Sequence, residues 1–192
     1  APSQHGGFMA NVSFTVPGIT HETADEVVSI LDDRMVALID LALTLKHVHW
    51  NVIGPNFISV HEMLDPQVEA VREMVDDTAE RMTTLGAEAI GTPKAITERR
   101  GWTDYSLGRA SAPEHLAALD KVYEGINGDH RAAIAKLGKL DPLSEDLLVD
   151  QAKQLELFQW FVRAHLETAG GKLMSAEAET ERGAAAEVRK AS

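Results

Sequence analysis

Two imidazoles and three carboxylates in this chain stand at spacings that suit a metal ion. His61 and Asp65 are four residues apart, as are Asp76 and Glu80, and side chains at i and i+4 share one face of an α-helix. All four lie in one stretch, residues 56–85, which reads as a single helix. His61 and Glu80 are roughly 28 Å apart along that helix at 1.5 Å per residue, so the two pairs cannot hold one ion within one chain. The midpoint of 61 and 80 coincides with that of 65 and 76, between Ala70 and Val71. A second copy of the helix, antiparallel about a two-fold axis there, sets His61 and Asp65 of one chain against Asp76 and Glu80 of the other. A two-fold interface presents the same patch on both subunits, so two identical sites result. His49, in the HWN tripeptide near the end of the preceding helix, is a better partner for His61 than His47, which points to a different side. Each of these residues taken alone reads as a solvated or hydrogen-bonded surface group; the constellation is what points to metal chemistry.

The chemistry follows from the ligand types. Neutral imidazoles with carboxylates suit iron, manganese or zinc better than copper(I). With positions left open for an oxidant, they support non-haem iron oxidation, the carboxylates stabilising the added positive charge. Di-iron sites inside a single helix bundle use Glu-x-x-His on two helices. No histidine here has a Glu three residues before it, so a site between subunits is expected. Trp50, beside His49, reads either as a buried aromatic anchor or as a scavenger of stray oxidising equivalents.

Four long helices must position these groups. Residues 1–20 contain no Asp, Glu, Lys or Arg and read as a flexible or strand-like arm, with Pro17-Gly18 as a turn. Thr20 or Thr23 caps a first helix, whose apolar positions from Val27 to Val48 keep helical spacing to about Trp50. Gly54-Pro55 ends it and the second helix follows, with a kink expected at Pro66. Residues 86–111 are irregular, with a short helix expected around 95–100, as in a bundle with a crossover between its second and third helices. A third helix is read over 112–140 and a fourth over 144–169, closed by Gly170-Gly171. No strand pattern competes after residue 20. The bundle therefore spans 21–171, and 172–192 reads as a flexible tail.

The chain has 192 residues, 44% hydrophobic and 25% charged, the balance of a soluble single domain. It lacks cysteine, which excludes thiolate ligands and disulfides. No apolar run is long enough to span a membrane. No basic-then-apolar segment marks a signal peptide, so a cytoplasmic protein is expected. The formal charge of −12 argues against a broadly basic nucleic-acid surface.

The run HVHWNVIGPNFISVHEMLDPQVEAV, followed by DDTAER and by FQWFVRAHLE in the fourth helix, resembles the Dps family of ferritin-like mini-ferritins. The resemblance covers about residues 20–170. It implies an all-α, ferritin-like four-helix bundle with a short helix in the middle crossover, assembled as a hollow dodecamer. It also implies a ferroxidase site at the dimer interface, with His49, His61 and Asp65 from one subunit and Asp76 and Glu80 from its mate. Such a protein oxidises Fe(II) with hydrogen peroxide or dioxygen, stores Fe(III) mineral and limits oxidative damage to DNA. Asp141, Glu145, Asp146 and Asp150 cluster at the start of the fourth helix, where some serve its positive end. The resemblance places them near a three-fold channel, where they would form an acidic iron-entry ring.

DNA binding is the family's other activity. The tail sets Arg182, Arg189 and Lys190 against Glu177, Glu179, Glu181 and Glu187, and only its last residues, VRKAS, are locally basic. Twelve copies would add avidity to weak contacts, while screening at physiological salt opposes them; a soluble tail that aids assembly is the competing reading. The alternative to an iron-oxidising store is thus a structural, nucleoid-compacting DNA-binding protein whose metal site is incidental.

Overall fold

Residues 11–191 are described by a computed structural model of the chain. Six helices and two very short strands follow in the order α1 (His21–Asn51), β1 (Val52–Ile53), α2 (Phe57–Thr84), α3 (Pro93–Arg99), β2 (Ala110–Ser111), α4 (Ala112–Leu137), α5 (Pro142–Ala164) and α6 (Glu181–Ala191). The long helices pack chiefly as two pairs, α1 with α2 and α4 with α5, and α6 lies along α4.

The caps explain the boundaries. Thr20 accepts a hydrogen bond from the Thr23 amide at the start of α1. Ser111 and Glu114 form a capping box at the start of α4, satisfying each other's orphan amides. Asn56 (φ 66°) and Gly54 (φ 86°) adopt left-handed backbone, which reverses the chain between α1 and α2 within a few residues. α2 continues through Pro66 as one helix.

The core falls into two apolar clusters. One gathers Leu38, Leu41 and Leu45 with Leu64, Leu119, Tyr123 and Phe158; the other gathers Val27, Leu31, Met35, Met82, Leu137 and Leu148. Leucines buried to this degree each contribute about 2 kcal/mol of transfer free energy. Polar side chains bridge the helices inside the bundle. Gln151 donates to Thr78 at 2.9 Å and Tyr123 donates to Gln67 at 2.6 Å, so the buried Gln151 amide and Tyr123 hydroxyl are paired.

Three features depart from the sequence reading. β1 and β2 pair in parallel, Val52 with Ala110 and Ile53 with Ser111, where no strand is expected. The ladder is too short for any alternating pattern and exists because it clips the crossover to the end of α1. In the stretch read as a flexible tail, residues 181–191 form α6, with Ala184, Ala185 and Val188 buried. Its apolar face is built from small alanines, which leave little hydrophobic signal beside the charges. Within the N-terminal arm, Val12 is buried and its amide donates to Asp25 at 2.9 Å; residues 1–10 of that arm lie outside the described residues. None of the described helices is long and apolar enough to cross a membrane.

Candidate metal centre

The turn between α1 and α2 brings His49 and His61 into contact. Their rings stack with centroids 3.6 Å apart and planes 23° from parallel. Each ring is held by the other residue's backbone: Nδ1–H of His49 donates to the carbonyl of His61, and Nδ1–H of His61 to the carbonyl of His49, both at 2.9 Å. A carbonyl only accepts, so both Nδ1 atoms carry the proton and both Nε2 atoms keep a lone pair. Fixing the far nitrogen to a backbone carbonyl is the usual way a protein prepares an imidazole to ligate a metal. His49 is buried and His61 partly exposed, with the Phe57 ring 5.1 Å from that of His61.

Asp65 stands beside this pair, its Oδ1 3.4 Å from Nδ1 of His49. The Lys46 ammonium donates to the same oxygen at 2.5 Å. That hydrogen bond holds the Asp65 carboxyl below the usual carboxylate range, against an opposing effect of burial. Nothing in residue spacing announces Lys46, although its position three before His49 on α1 places it on a neighbouring part of the same surface.

Asp76 and Glu80 are exposed on α2, far along the helix from His61. Among the described residues, no group of three His, Asp or Glu side chains within one chain is gathered closely enough to hold a metal. The structure stacks His49 on His61 and sets Asp65 beside His49, while Asp76 and Glu80 lie elsewhere on α2, so one chain alone does not complete a site. Trp50 is 72% exposed, so the buried-anchor reading is corrected: it lies off the stripe that carries Leu45, Val48 and His49 into the core. Leu43, Ile53, Phe57 and Ile58 are exposed as well, and of these the Phe57 ring lies against His61.

The acidic cluster at the start of α5 divides. Asp141 is 3% exposed, caps α5 by accepting from the amides of Leu143 and Ser144, and pairs with the Arg81 guanidinium at 2.6 Å. Burial pushes its carboxyl up, but the hydrogen bonds from Ser144 and Arg81 outweigh this and hold it below the usual range. Within one chain Asp141 is therefore occupied as a cap and an ion-pair partner. Glu145 is half-buried, and Asp146 and Asp150 are exposed. The last two line a groove of about 440 Å³ between α2 and α5, opposite Glu73 and Asp77.

The basic residues near the C-terminus are also partly engaged. Arg189 pairs with Glu114, its Nε 2.7 Å from the carboxylate, and Arg182 donates to the carbonyl of Ser106 at 3.4 Å. Lys190 is exposed.

Comparisons with known proteins agree with this architecture. A family model described as a ferritin-like domain matches residues 28–170. The chain is 54% identical over 180 residues to the DNA protection during starvation protein of Mycolicibacterium smegmatis, covering 94% of this chain and 98% of that protein. Among solved structures it is similar to Mycobacterium smegmatis Dps (55% identity, TM-score 0.87, covering 90% of this chain and 98% of that one). It is also similar to DpsA14 from Streptomyces coelicolor (57% identity, TM-score 0.85, covering 86% and 99%). With a ferritin-like bundle, a prepared histidine pair at its α1–α2 turn and relatives matched along nearly their whole length, the chain belongs to the Dps family of ferritin-like proteins.

Proposed function

We propose that this protein is a ferroxidase and iron store. It takes Fe(II) as substrate at sites shared across a two-fold dimer and oxidises it with hydrogen peroxide or dioxygen. The Fe(III) mineral is kept inside a shell of twelve subunits, protecting DNA from oxidative damage in the cytoplasm. The observation that carries this reading is the reciprocal lock between His49 and His61, which leaves a lone pair on each Nε2, with the Asp65 carboxylate 3.4 Å from the His49 ring. Two neutral nitrogens and one anionic oxygen leave positions open for the partner's Asp76 and Glu80 and for an oxidant. Exposed apolar side chains such as Trp50, next to His49 in the chain, and Phe57, against His61, are what a subunit contact would cover.

Each group has a role in that chemistry. His49 and His61 bind and orient Fe(II) without adding charge. Asp65, Asp76 and Glu80 supply the negative charge that favours Fe(III) over Fe(II), drawing the reaction towards oxidation. Asp146 and Asp150, exposed at the start of α5, would concentrate cations on the route into the shell, with Glu145 behind them.

DNA binding is the second reading. Association of Arg182 and Arg189 with Ser106 and Glu114 of the same chain leaves exposed Lys172 and Lys190 as the tail cations most available to phosphate, so contacts per subunit are weak and depend on avidity. Ferroxidase assays and gel shifts across salt separate the two readings. Fe(II) oxidation followed by ultraviolet absorbance should fall by at least an order of magnitude in His61→Ala while the gel shift is unchanged. An unaltered oxidation rate in that variant would overturn the site.

A further inference from the structure

Apart from the half-site there is a second cluster that the proposed iron binding does not use. His47 of α1, Tyr105 of the crossover and the fully buried His115 of α4 form a stack of three rings. The His47 and Tyr105 centroids are 5.7 Å apart, edge to face, and those of Tyr105 and His115 are 5.9 Å apart with planes 13° from parallel. His47 donates through Nε2–H to the carbonyl of Leu107 at 2.7 Å, which ties the crossover to α1. The Tyr105 hydroxyl lies 3.0 Å from Nδ1 of His115 and 3.5 Å from that residue's carbonyl, so the ring nitrogen is its closer acceptor.

The chain has only two tyrosines, and they differ in one respect. Tyr123 is buried in the core and donates to the Gln67 side-chain carbonyl at 2.6 Å; a neutral amide cannot keep a proton handed to it. Tyr105 donates to an imidazole, which can. We propose that Tyr105 and His115 form a one-electron sink: the phenol gives an electron to a stray oxidant formed at the iron site and passes its proton to His115.

At rest the proton stays on oxygen. Burial, helped by the nearby Glu181 carboxylate, pushes the phenol well above its ordinary value, and burial holds the His115 imidazole below its own. Removing one electron makes the phenol strongly acidic, and its O–H bond then breaks towards Nδ1. The oxidant class is the hydroxyl radical, which Fe(II) generates when it reduces peroxide by one electron. It gains an electron and a proton to become water, while Tyr105 becomes a neutral tyrosyl radical facing an imidazolium. A further Fe(II) returns the electron and becomes Fe(III), and His115 returns the proton. The sum is one hydroxyl radical, one Fe(II) and one proton consumed, and one water and one Fe(III) formed. His47 stands edge to face with the Tyr105 ring and lies two positions from His49 on the same helix, so one short segment of α1 carries both the first ring of the sink and a proposed iron ligand.

The natural oxidant of this sink rests on the iron chemistry proposed above, so the test has an arm that needs no iron. Assembled protein is oxidised by flash-generated ruthenium(III) tris-bipyridine, and the radical is read by electron paramagnetic resonance. Wild type and Tyr123→Phe should give a tyrosyl signal that Tyr105→Phe lacks, and in wild type it should form several-fold more slowly in D2O. A tyrosyl signal persisting in Tyr105→Phe, or no isotope effect, would overturn the pair. His115→Gln, checked for fold by circular dichroism, should form the radical more slowly; an unchanged rate counts against the base. In the second arm, Fe(II) and hydrogen peroxide are added. Tyr105→Phe should oxidise iron at the wild-type rate but accumulate several-fold more protein carbonyls, and equal damage would refute the protective role. Should no form of the protein oxidise iron, the ferroxidase reading fails and the ruthenium arm alone decides the pair.

Discussion

Lys46 occupies the place where a metal would compensate Asp65. Its ammonium is 2.5 Å from Oδ1, so under the proposed iron chemistry Fe(II) would compete with a resident cation. Replacing it, as in Lys46→Met, should tighten binding of Zn(II), used as a redox-silent probe, by about fivefold, the upper range for a partly exposed ion pair. The pH profile should move too. Because the lysine holds the carboxyl below its usual range, wild type keeps its carboxylate to lower pH, and the variant should lose metal at a higher pH. Calorimetric titration across pH checks both; unchanged affinity would mean that Lys46 only stores Asp65 between turnovers. At this scale the meeting of His49, His61 and Asp65 is legible in the sequence, since i, i+4 spacing and the HWN tripeptide single out these three residues. The reciprocal Nδ1 bonds are not, because they depend on the left-handed Asn56 and Gly54 in the turn, whose dihedrals no periodicity encodes. Tyr105 and His115 escape sequence reasoning for a similar reason: residues on the crossover and on α4 meet only once the fold exists.

Helix ends decide how the acidic cluster is divided. Asp141 caps α5 and holds Arg81, whereas Asp146 and Asp150 face solvent one turn apart. Asp141→Ala should lower stability by about 2 kcal/mol, since it removes a cap and leaves a largely buried guanidinium unpaired, with iron uptake per folded shell unchanged. The double variant Asp146→Asn, Asp150→Asn should do the reverse, slowing uptake at limiting Fe(II) several-fold with no loss of thermal stability. Thermal melts and stopped-flow uptake on the same preparations distinguish them. The long helices are legible from their 3.6-residue apolar period, to within a few residues at most ends. α5 starts and stops earlier than the sequence suggests, at Pro142 and Ala164, because Pro takes the first helical position well. α6 and the β1–β2 ladder are not legible. One presents alanines where a hydrophobic stripe is sought, and the other is two residues long.

For the whole molecule, the proposed shell of twelve copies of a 20.9 kDa chain has a mass of roughly 250 kDa by simple multiplication. The sharper test concerns how sites are shared. Suppose one chain carries His61→Ala and another Glu80→Ala. Each alone should assemble and be defective, because every shared site loses a ligand. In a mixed dimer, one site joins the intact His61 of the second chain to the intact Glu80 of the first, while the other site combines both lesions. Co-assembled protein should therefore recover activity, up to half the sites in each mixed dimer, with mixing confirmed by native mass spectrometry. No recovery in confirmed mixed dimers would refute the shared site. The coincident midpoints in α2 make such an arrangement readable from residue spacing. The exposure of Trp50 beside it is not readable in that way, because an aromatic next to a ligand suits a core anchor and a subunit contact equally well.

The closeness of His49 and His61 in the chain also bears on the order in which the protein is made. Their mutual bonds span only twelve residues, whereas the ladder between β1 and β2 links Val52 with Ala110. Closing the shorter loop costs less chain entropy, and local contacts form first. The α1–α2 hairpin can therefore set both imidazoles in their ligating tautomers while the crossover and α4 are still being synthesised. The nascent chain would then carry a prepared but incomplete pair of nitrogens, and oxidation of iron would wait on the meeting of two finished chains. On the proposed reading, that delay would keep an incomplete site from oxidising iron before subunits have met.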